Sequence, residues 1–330
     1  MVRDLGKVVF VVIGRNEGER LRSCLSSVLA LSKAVVYADS ASSDGSVALA
    51  RSLDVKVVEI ASAPMNAARG RSEGLAAARS AFGEAQFVQF IDGDCVLNPD
   101  WPKAAAAFLS GNPRVAAVCG RRREADPESS FYNRLVDFEW NTPVGQIAAC
   151  GGDSMMRIAA LEEAGGFDVT LMASEEPELC SRLARCGWEI WRLDREMTEH
   201  DAAIHTFAQW WRRTVRSGYG YAQVWRKNGW PSRGGAAGQL KSAILWIAAF
   251  PMLVCMFALA LDEPELTATI PVAYLLQLLR IRRRYGGSLR FSLRAAALVM
   301  IAKVAELTGA AEYLVSSGPS TPIAYKRPSL

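Results

Sequence analysis

No CxxC pair and no zinc-type ladder of cysteine and histidine occurs in this chain of 330 residues, although it contains 7 cysteines. That absence excludes a zinc-finger scaffold. The odd count, with Cys24, Cys95, Cys119, Cys150, Cys180 and Cys186 mostly inside apolar or small-residue stretches, reads as reduced thiols packed as small hydrophobes. Histidine is scarcer still, at His200 and His205 only. The N-terminus MVRDLGKVVFVVIGRNE lacks the form of a signal peptide, because its apolar run is short and opens straight into a polar turn. The expectation is therefore a front domain that stays in the cytoplasm. No internal repeat is present. Charged residues at 22% against 50% hydrophobic exclude a disordered or fibrous chain, and the length suffices for one large domain or two modest ones.

What is present changes along the chain. The net charge of +4 conceals a balance of −6 over residues 1–200 and +10 over residues 201–330. An acidic front suits a metal-using enzyme, and a basic, aromatic and apolar back suits a membrane surface. The long apolar runs within that basic part argue against nucleic acid as its partner.

The front alternates short apolar runs with helical stretches, the pattern of a parallel sheet covered by helices. Strands are expected at Val8–Ile13, Ala34–Ala38, Val55–Ile60, Phe87–Ile91 and Val115–Cys119. Helices are expected at Glu19–Leu31, Ser46–Leu53, Met65–Ala81 and from Pro99 through Leu109. Arg121–Pro143 shows no clear period. A strand within Ala148–Arg157, helices at Ala159–Ala164 and Glu176–Cys186, and a last short strand at Trp188–Leu193 complete the reading.

Beyond about residue 205, Phe207–Trp230 interleaves Trp and Tyr with Arg and Lys. Ile244–Leu261 is an uncharged run of 18 residues, and Leu266–Leu279 is a second of 14 that ends in Arg280, Arg282, Arg283 and Arg284. At about 1.5 Å per residue the first is just long enough for a hydrocarbon core of about 30 Å. The acidic loop Asp262-Glu263-Pro264-Glu265 between the two runs, and the arginines after the second, place both ends of a hairpin on the cytoplasmic side by the positive-inside rule. Because the second run is short, a re-entrant or interfacial hairpin stays open. Lys303, Glu306 and Glu312 interrupt a third stretch, Ala295–Val315, which reads as an amphipathic helix on the membrane or packed on the domain. The tail after Val315 reads as loose.

The chemistry concentrates at Asp92-Gly93-Asp94, directly after an apolar strand. Ligands of open α/β sheets sit at the carboxyl ends of strands. Two carboxylates one residue apart there can approach a hard divalent cation and its diphosphate together. Taken alone, the tripeptide fits a polar turn equally well.

The blocks VVIGRNEGERLRSCLSSVL, VVYADSASSDGSVALA, NAARGRSEGLAAA, FIDGDCVLNPDW, GGDSMMRIAALEEAGGFD and SEEPELCSRLARCGWEIWRLD follow one another at plausible spacing. In that order they resemble the family-2 glycosyltransferases, over residues 7 to about 215. The resemblance implies a GT-A (Rossmann-like) α/β fold, a mostly parallel sheet covered by helices, and a nucleoside-diphosphate-sugar donor. It implies nucleotide or donor contacts at Arg15, Asn16, Glu17, Asp39, Arg69, Asp92 and Asp153, with Asp153 facing sugar hydroxyls or capping the next helix. Asp44 is expected to order its turn. Asp92 and Asp94 match the DxD motif that holds Mg²⁺ or Mn²⁺, and His200 completes the metal shell. The stretch SEEPELCSRL matches the segment carrying the catalytic base, giving Glu176 first and Glu175 second; an inverting transfer needs such a carboxylate to take the acceptor's proton. Glu178 and Arg182 are expected to form an i, i+4 pair. FAQWWRRTVRSGYGYA resembles the amphipathic segment of membrane-associated relatives.

The expected organisation is a catalytic domain at 1–205, an aromatic and basic interfacial segment at 206–240, membrane-associated helices at 241–315 and a tail at 316–330. The expected function is inverting, metal-dependent transfer of a hexose-type sugar, with a UDP-sugar as first donor. The acceptor is a membrane lipid, a lipid-linked sugar or a polysaccharide at the cytoplasmic face of the inner membrane. A nucleotidyltransferase of the same fold would carry a glycine-rich, lysine- or arginine-bearing phosphate loop after the first strand, which IGRNEGERL lacks. A non-catalytic membrane partner would have no use for Asp92, Asp94 and Glu176.

Overall fold

A computed structural model of the chain describes residues 5–61, 63–228 and 235–316. They form two compact units, one ending at Ile204 and the other beginning at His205. The expected loose tail, and Trp230 of the aromatic segment, lie outside the described residues.

The first unit is a sheet with helices on it. β1 (Val8–Gly14), β2 (Val35–Asp39), β3 (Lys56–Glu59) and β4 (Phe87–Asp92) are mutually parallel, in the spatial order β3-β2-β1-β4. Their connections are α1 (Glu19–Leu29), α2 (Ser46–Ser52) and α3 (Ala67–Ala81). β1 reads VVFVVIG and is buried along nearly its whole length, as a parallel strand covered on both faces must be. α1 buries Leu21, Cys24, Leu25 and Val28, a spacing that draws one apolar stripe along a helix. α3 instead approaches the sheet by small residues. A Cβ added at Gly74 would stand 2.4 Å from Val11 Cγ1, and one at Gly70 would stand 3.3 Å from Ile13 Cγ2.

Past β4 come β5 (Cys95–Leu97), α4 (Trp101–Gly111), β6 (Val115–Glu124), α5 (Phe131–Glu139), β7 (Gly145–Gln146), β8 (Ser154–Arg157), α6 (Ile158–Glu163), α7 (Glu175–Arg185) and β9 (Glu189–His200). The order continues β4-β8-β6-β9-β5. β8 runs antiparallel to both β4 and β6, while β6 and β9 are parallel. This inverted β8 brings the loop before Ser154 to the carboxyl end of β4.

Apart from β5, where no strand is expected, the elements up to Cys119 lie within about two residues of their expected positions. Two expectations are corrected beyond it. β6 continues through Glu124 with α5 after it, and β9 extends to His200 where the sequence suggests a strand ending at Leu193. The extra strand residues are charged, and the sheet satisfies them by pairing. Arg121 meets Asp137 at 2.9 Å, and Arg123 holds Glu196 with two bonds of 2.7 and 2.9 Å. Hydrophobic alternation cannot reveal a strand stabilised in that way.

The second unit is helical: α8 (Phe207–Asn228), α9 (Gly235–Ile244), α10 (Phe250–Leu261), α11 (Thr269–Arg282) and α12 (Leu289–Val315). Ala237–Leu261 forms 25 continuous helical residues containing an 18-residue window of mean hydropathy 2.5, long and apolar enough by length and composition to cross a membrane. Its middle, Leu245–Ala249, is a π-helical turn. Pro251 follows, and it has no N–H to give a carbonyl one turn back. The Trp246 carbonyl accepts the Tyr274 hydroxyl of α11 instead.

α8 and α12 cross at two glycines. A Cβ on Gly218 would fall 2.0 Å from the Glu306 carbonyl oxygen, and one on Gly309 would fall 1.9 Å from that of Val215. Either methyl group must push two backbones apart, an overpacking cost of about 1–3 kcal/mol. Gly309→Ala is expected to lower the thermal midpoint of the detergent-solubilised protein by several degrees, read by circular dichroism. An unchanged midpoint would mean that the two helices can separate freely there.

Candidate active site

The carboxyl ends of β1 and β2 form the first wall. Asn16 has φ 56° and ties two loops together. Its backbone N–H donates to Ser42 Oγ at 2.9 Å, and its Oδ1 accepts the Ser43 N–H at 2.7 Å. Asp39 is buried and accepts from the Tyr37 hydroxyl at 2.8 Å, the Ser42 N–H at 2.7 Å and the Ser42 hydroxyl at 2.6 Å. Burial first, and then the Asp39 charge, push the Tyr37 hydroxyl far above its ordinary range, so it remains a donor. Asp44 accepts from Gly18 N at 3.1 Å and Ser46 N at 2.9 Å and so orders its turn, as expected. Glu17 is buried beside Arg20, at 2.9 Å. Arg15 keeps a buried Nε with no hydrogen-bond partner, a donor available to a ligand at this wall.

Asp92 ends β4 between two guanidinium groups. Arg71 Nη2 donates to its Oδ1 at 3.0 Å and Arg122 Nη2 to its Oδ2 at 3.1 Å. Beneath it, Asp153 accepts the Asp92 backbone N–H at 2.9 Å, the Thr198 hydroxyl at 2.9 Å and the Cys95 thiol at 3.2 Å, with Arg122 Nε at 3.4 Å. The Asp153 side chain is fully enclosed. It therefore braces the Asp92 turn and Arg122, in place of the expected sugar contact or helix cap. Burial opposes the Arg122 charge, but Asp153, with Asp92 and Asp94, outweighs it and holds the guanidinium protonated beyond its usual range. Arg122 also lies 4.9 Å over the Trp140 ring.

Asp94 and His200 meet across the β5–β9 pairing, with His200 Nε2 3.3 Å from Asp94 Oδ1. The Trp140 ring packs edge-on against the imidazole at 4.9 Å, and the buried His200 Nδ1 has no hydrogen-bond partner. Donor atoms of Asp94, Cys95 and His200 lie within 4.8 Å of one another, but the Cys95 thiol is committed to Asp153 and burial pushes it well above its ordinary pKa. Asp92, Asp94 and His200 thus stand together at this end of the site. Two carboxylates and one imidazole fit a hard or borderline divalent cation that keeps part of its water shell.

The remaining carboxylates come from the start of α7. Glu175 Oε1 accepts from Arg71 Nη1 at 2.6 Å, so Arg71 bridges Asp92 and Glu175. Glu176 turns inward, where one oxygen accepts the Cys150 N–H at 2.6 Å and the Cys180 thiol at 2.9 Å. Glu178 and Arg182 form the expected i, i+4 pair at 2.7 Å.

The expected site residues Arg15, Asn16, Glu17 and Asp39 gather on the first wall, and Asp92, Asp94, Asp153, Glu175 and His200 on the second. Arg69 lies in the first turn of α3. It is half-buried, and its backbone N–H is taken by the Asn66 cap at 2.8 Å. Two residues along, Arg71 makes the contacts with Asp92 and Glu175, and sequence reasoning overlooked it. Its signal was its place in the buried stripe Ala68, Gly70, Arg71, Gly74, Ala78 of α3. Arg122 and Trp140 went unseen because they lie in the stretch without a period.

Parallel strands, an inverted β8 and acidic groups at the β4 end define a GT-A-like α/β domain. The profile described as "Glycosyl transferase family 2" matches residues 9–156, from β1 to β8. Poly-beta-1,6-N-acetyl-D-glucosamine synthase of Staphylococcus epidermidis is 22% identical over 249 residues, covering 68% of this chain and 57% of its own length. Probable glucomannan 4-beta-mannosyltransferase 15 of Arabidopsis thaliana is 28% identical over 119 residues, 32% of this chain and 22% of its own. The chain thus spans little more than half the length of such curated relatives, or less. Among solved structures, the mannosyltransferase PcManGT from Pyrobaculum calidifontis, in complex with GDP-Man and Mn2+, shares the fold with a TM-score of 0.60 at 18% identity, over 94% of this chain and 88% of that one.

Removing Arg71 takes from Glu175 its buried cation and from Asp92 one of two, and breaking such pairs costs about 3 kcal/mol or more. Arg71→Met is expected to lower the thermal midpoint by several degrees, read by circular dichroism. An unchanged midpoint would argue against the bridge.

Proposed function

We propose that this protein is an inverting, metal-dependent glycosyltransferase. It moves a hexose-type sugar from a nucleoside-diphosphate donor to a lipid-linked or polysaccharide acceptor at the cytoplasmic face of the inner membrane. The observation that carries this reading is the convergence of Asp92, Asp94, His200 and Glu175 at one strand end, with the buried Arg71 bridging Asp92 and Glu175 and His200 meeting Asp94. The relatives named as a polysaccharide synthase and as mannosyltransferases support glycosyl transfer. A UDP-sugar remains the first donor to try, with GDP-mannose close behind because the PcManGT complex holds it.

Asp92, Asp94 and His200 would hold Mg²⁺ or Mn²⁺, and a divalent cation there would offset charge on the leaving diphosphate. Arg15, Asn16, Glu17 and Asp39 form the wall for the nucleoside. Glu175, partly open to solvent and oriented by Arg71, takes the proton from the acceptor hydroxyl as it attacks the anomeric carbon. Glu176 holds the motif position of the base, but its bonds to Cys150 and Cys180 favour a role in fixing the loop before β8.

The segment Ala237–Leu261 supports membrane attachment. α11 has 14 residues, about 21 Å at 1.5 Å per residue, short of a core of about 30 Å. α10 and α11 are therefore read as a hairpin that enters the bilayer and returns, keeping Arg280–Arg284 on the cytoplasmic face.

Thermal shift and donor hydrolysis with UDP-, GDP- and dTDP-sugars, with and without Mn²⁺ or Mg²⁺, test the reading. One nucleotide class is expected to give a metal-dependent shift that Asp94→Asn abolishes. Among base variants, Glu175→Gln is expected to lower kcat by at least 100-fold with little change in donor affinity. If Glu176→Gln alone removed turnover while keeping the fold, the base would be Glu176. For topology, Arg284→Cys, in a background with the exposed Cys186 and Cys255 replaced by Ser, is expected to react with an impermeant maleimide only from the cytoplasmic side.

A further inference from the structure

Beside Asn141, between the outer parts of β6 and β9, the first unit has a cavity of about 330 Å³. Four arginines line it, and they fall into two classes. Arg121 is matched by Asp137 at 2.9 Å, and Arg123 by Glu196 through two bonds. Among the described residues, Arg192 and Arg195 form no ion pair. Arg192 is the telling one. It is only 4% exposed, one terminal nitrogen reaches Asn141 Oδ1 at 3.2 Å, and its Nε is buried with no hydrogen-bond partner. A buried donor left unfilled is costly, and more so on a charged group. The cavity thus offers an unneutralised guanidinium on its floor and a second, Arg195, at its exposed rim.

Arginine forks match phosphate oxygens in geometry and charge. The lining also contains Asp194, for which no ion pair is formed among the described residues. A bare anion would be repelled by that carboxylate, whereas a hydroxyl next to the phosphate would donate to it. The volume lies at the small end of ligand sites, which span about 300–1,000 Å³. We propose that this cavity binds the phosphate ester of a small polyol, with the phosphate on Arg192 and Arg195 and a neighbouring hydroxyl on Asp194. The same chemistry occurs in the headgroup of phosphatidylglycerol and in soluble glycerol phosphate. The cavity adjoins the candidate active site through the chain itself, since Asn141 follows Trp140, whose ring packs on both His200 and Arg122.

The test uses the full chain in detergent with EDTA, so that binding is read independently of metal and of turnover. Calorimetric titration with sn-glycerol 3-phosphate is expected to show one saturable site, weakened at least tenfold by Arg195→Ala, an exposed position that leaves the fold intact. Asp194→Asn is expected to weaken glycerol phosphate and to leave inorganic phosphate unaffected or tighter. A second arm compares flotation with phosphatidylglycerol/phosphatidylcholine vesicles and with phosphatidylcholine alone, scored as the difference between wild type and Arg195→Ala. Selective loss in the vesicle arm names the lipid headgroup as the source, and selective loss in the soluble arm names a free ester. Unchanged binding by Arg195→Ala and Asp194→Asn in both arms, or no binding by the wild type in either, overturns the proposal, whatever the outcome of the donor experiments.

Discussion

The carboxylate of Asp92, gripped by Arg71 on one oxygen and Arg122 on the other, is the contact on which the arrangement of the site depends. The two arginines arrive by different routes. Arg71 comes from a helix that can approach β1 closely only because Gly70 and Gly74 carry no Cβ. Arg122 comes from β6, which reaches the end of β4 because β8 is inserted between them and runs the other way. Asp153 rides in on the same inverted strand and takes the Asp92 N–H. Had β8 paired in parallel, the residues before Ser154 would emerge at the opposite edge of the sheet, and neither Asp153 nor the loop of Cys150 would meet the β4 terminus.

This grip has an electrostatic consequence for metal and donor. A cation approaching Asp92 competes with two guanidinium groups that already hold both of its oxygens. The same contacts keep the buried Arg71 and Arg122 charges matched, which matters because an uncompensated buried charge costs several kcal/mol.

Much of this was legible in the residues alone. Apolar runs such as VVFVVIG and FVQFID are buried on both faces, so their pattern and their environment coincide, and the acidic pair at the strand end marks the site. The legibility ends where polar residues build strands. Arg121, Arg123 and Glu196 occupy sheet positions that hydrophobic alternation would assign to a loop, and they are stable there only because each meets an opposite charge on a neighbouring element. The same blindness hid Arg122 and Trp140. Arg71 escaped notice beside Arg69 because a motif gives the neighbourhood of a residue but not the rotation of its helix.

The start of α7 shows the same limit at one residue's resolution. Successive helical residues point about 100° apart, so of Glu175 and Glu176 only one can face the Asp92 cluster. Ser174 precedes them in the left-handed region, at φ 62°, and sets the phase of the first turn. With that phase Glu175 reaches Arg71, and Glu176 is carried beneath the loop of Cys150, where its carboxylate is consumed by a backbone N–H and a thiol. A carboxylate so engaged is poorly placed to meet an acceptor hydroxyl, whereas one that shares Arg71 with Asp92 lies next to the cluster proposed to hold the donor. Motif order alone would assign the base to the second glutamate. Helical phase turns the first toward Arg71 and the second toward the loop of Cys150.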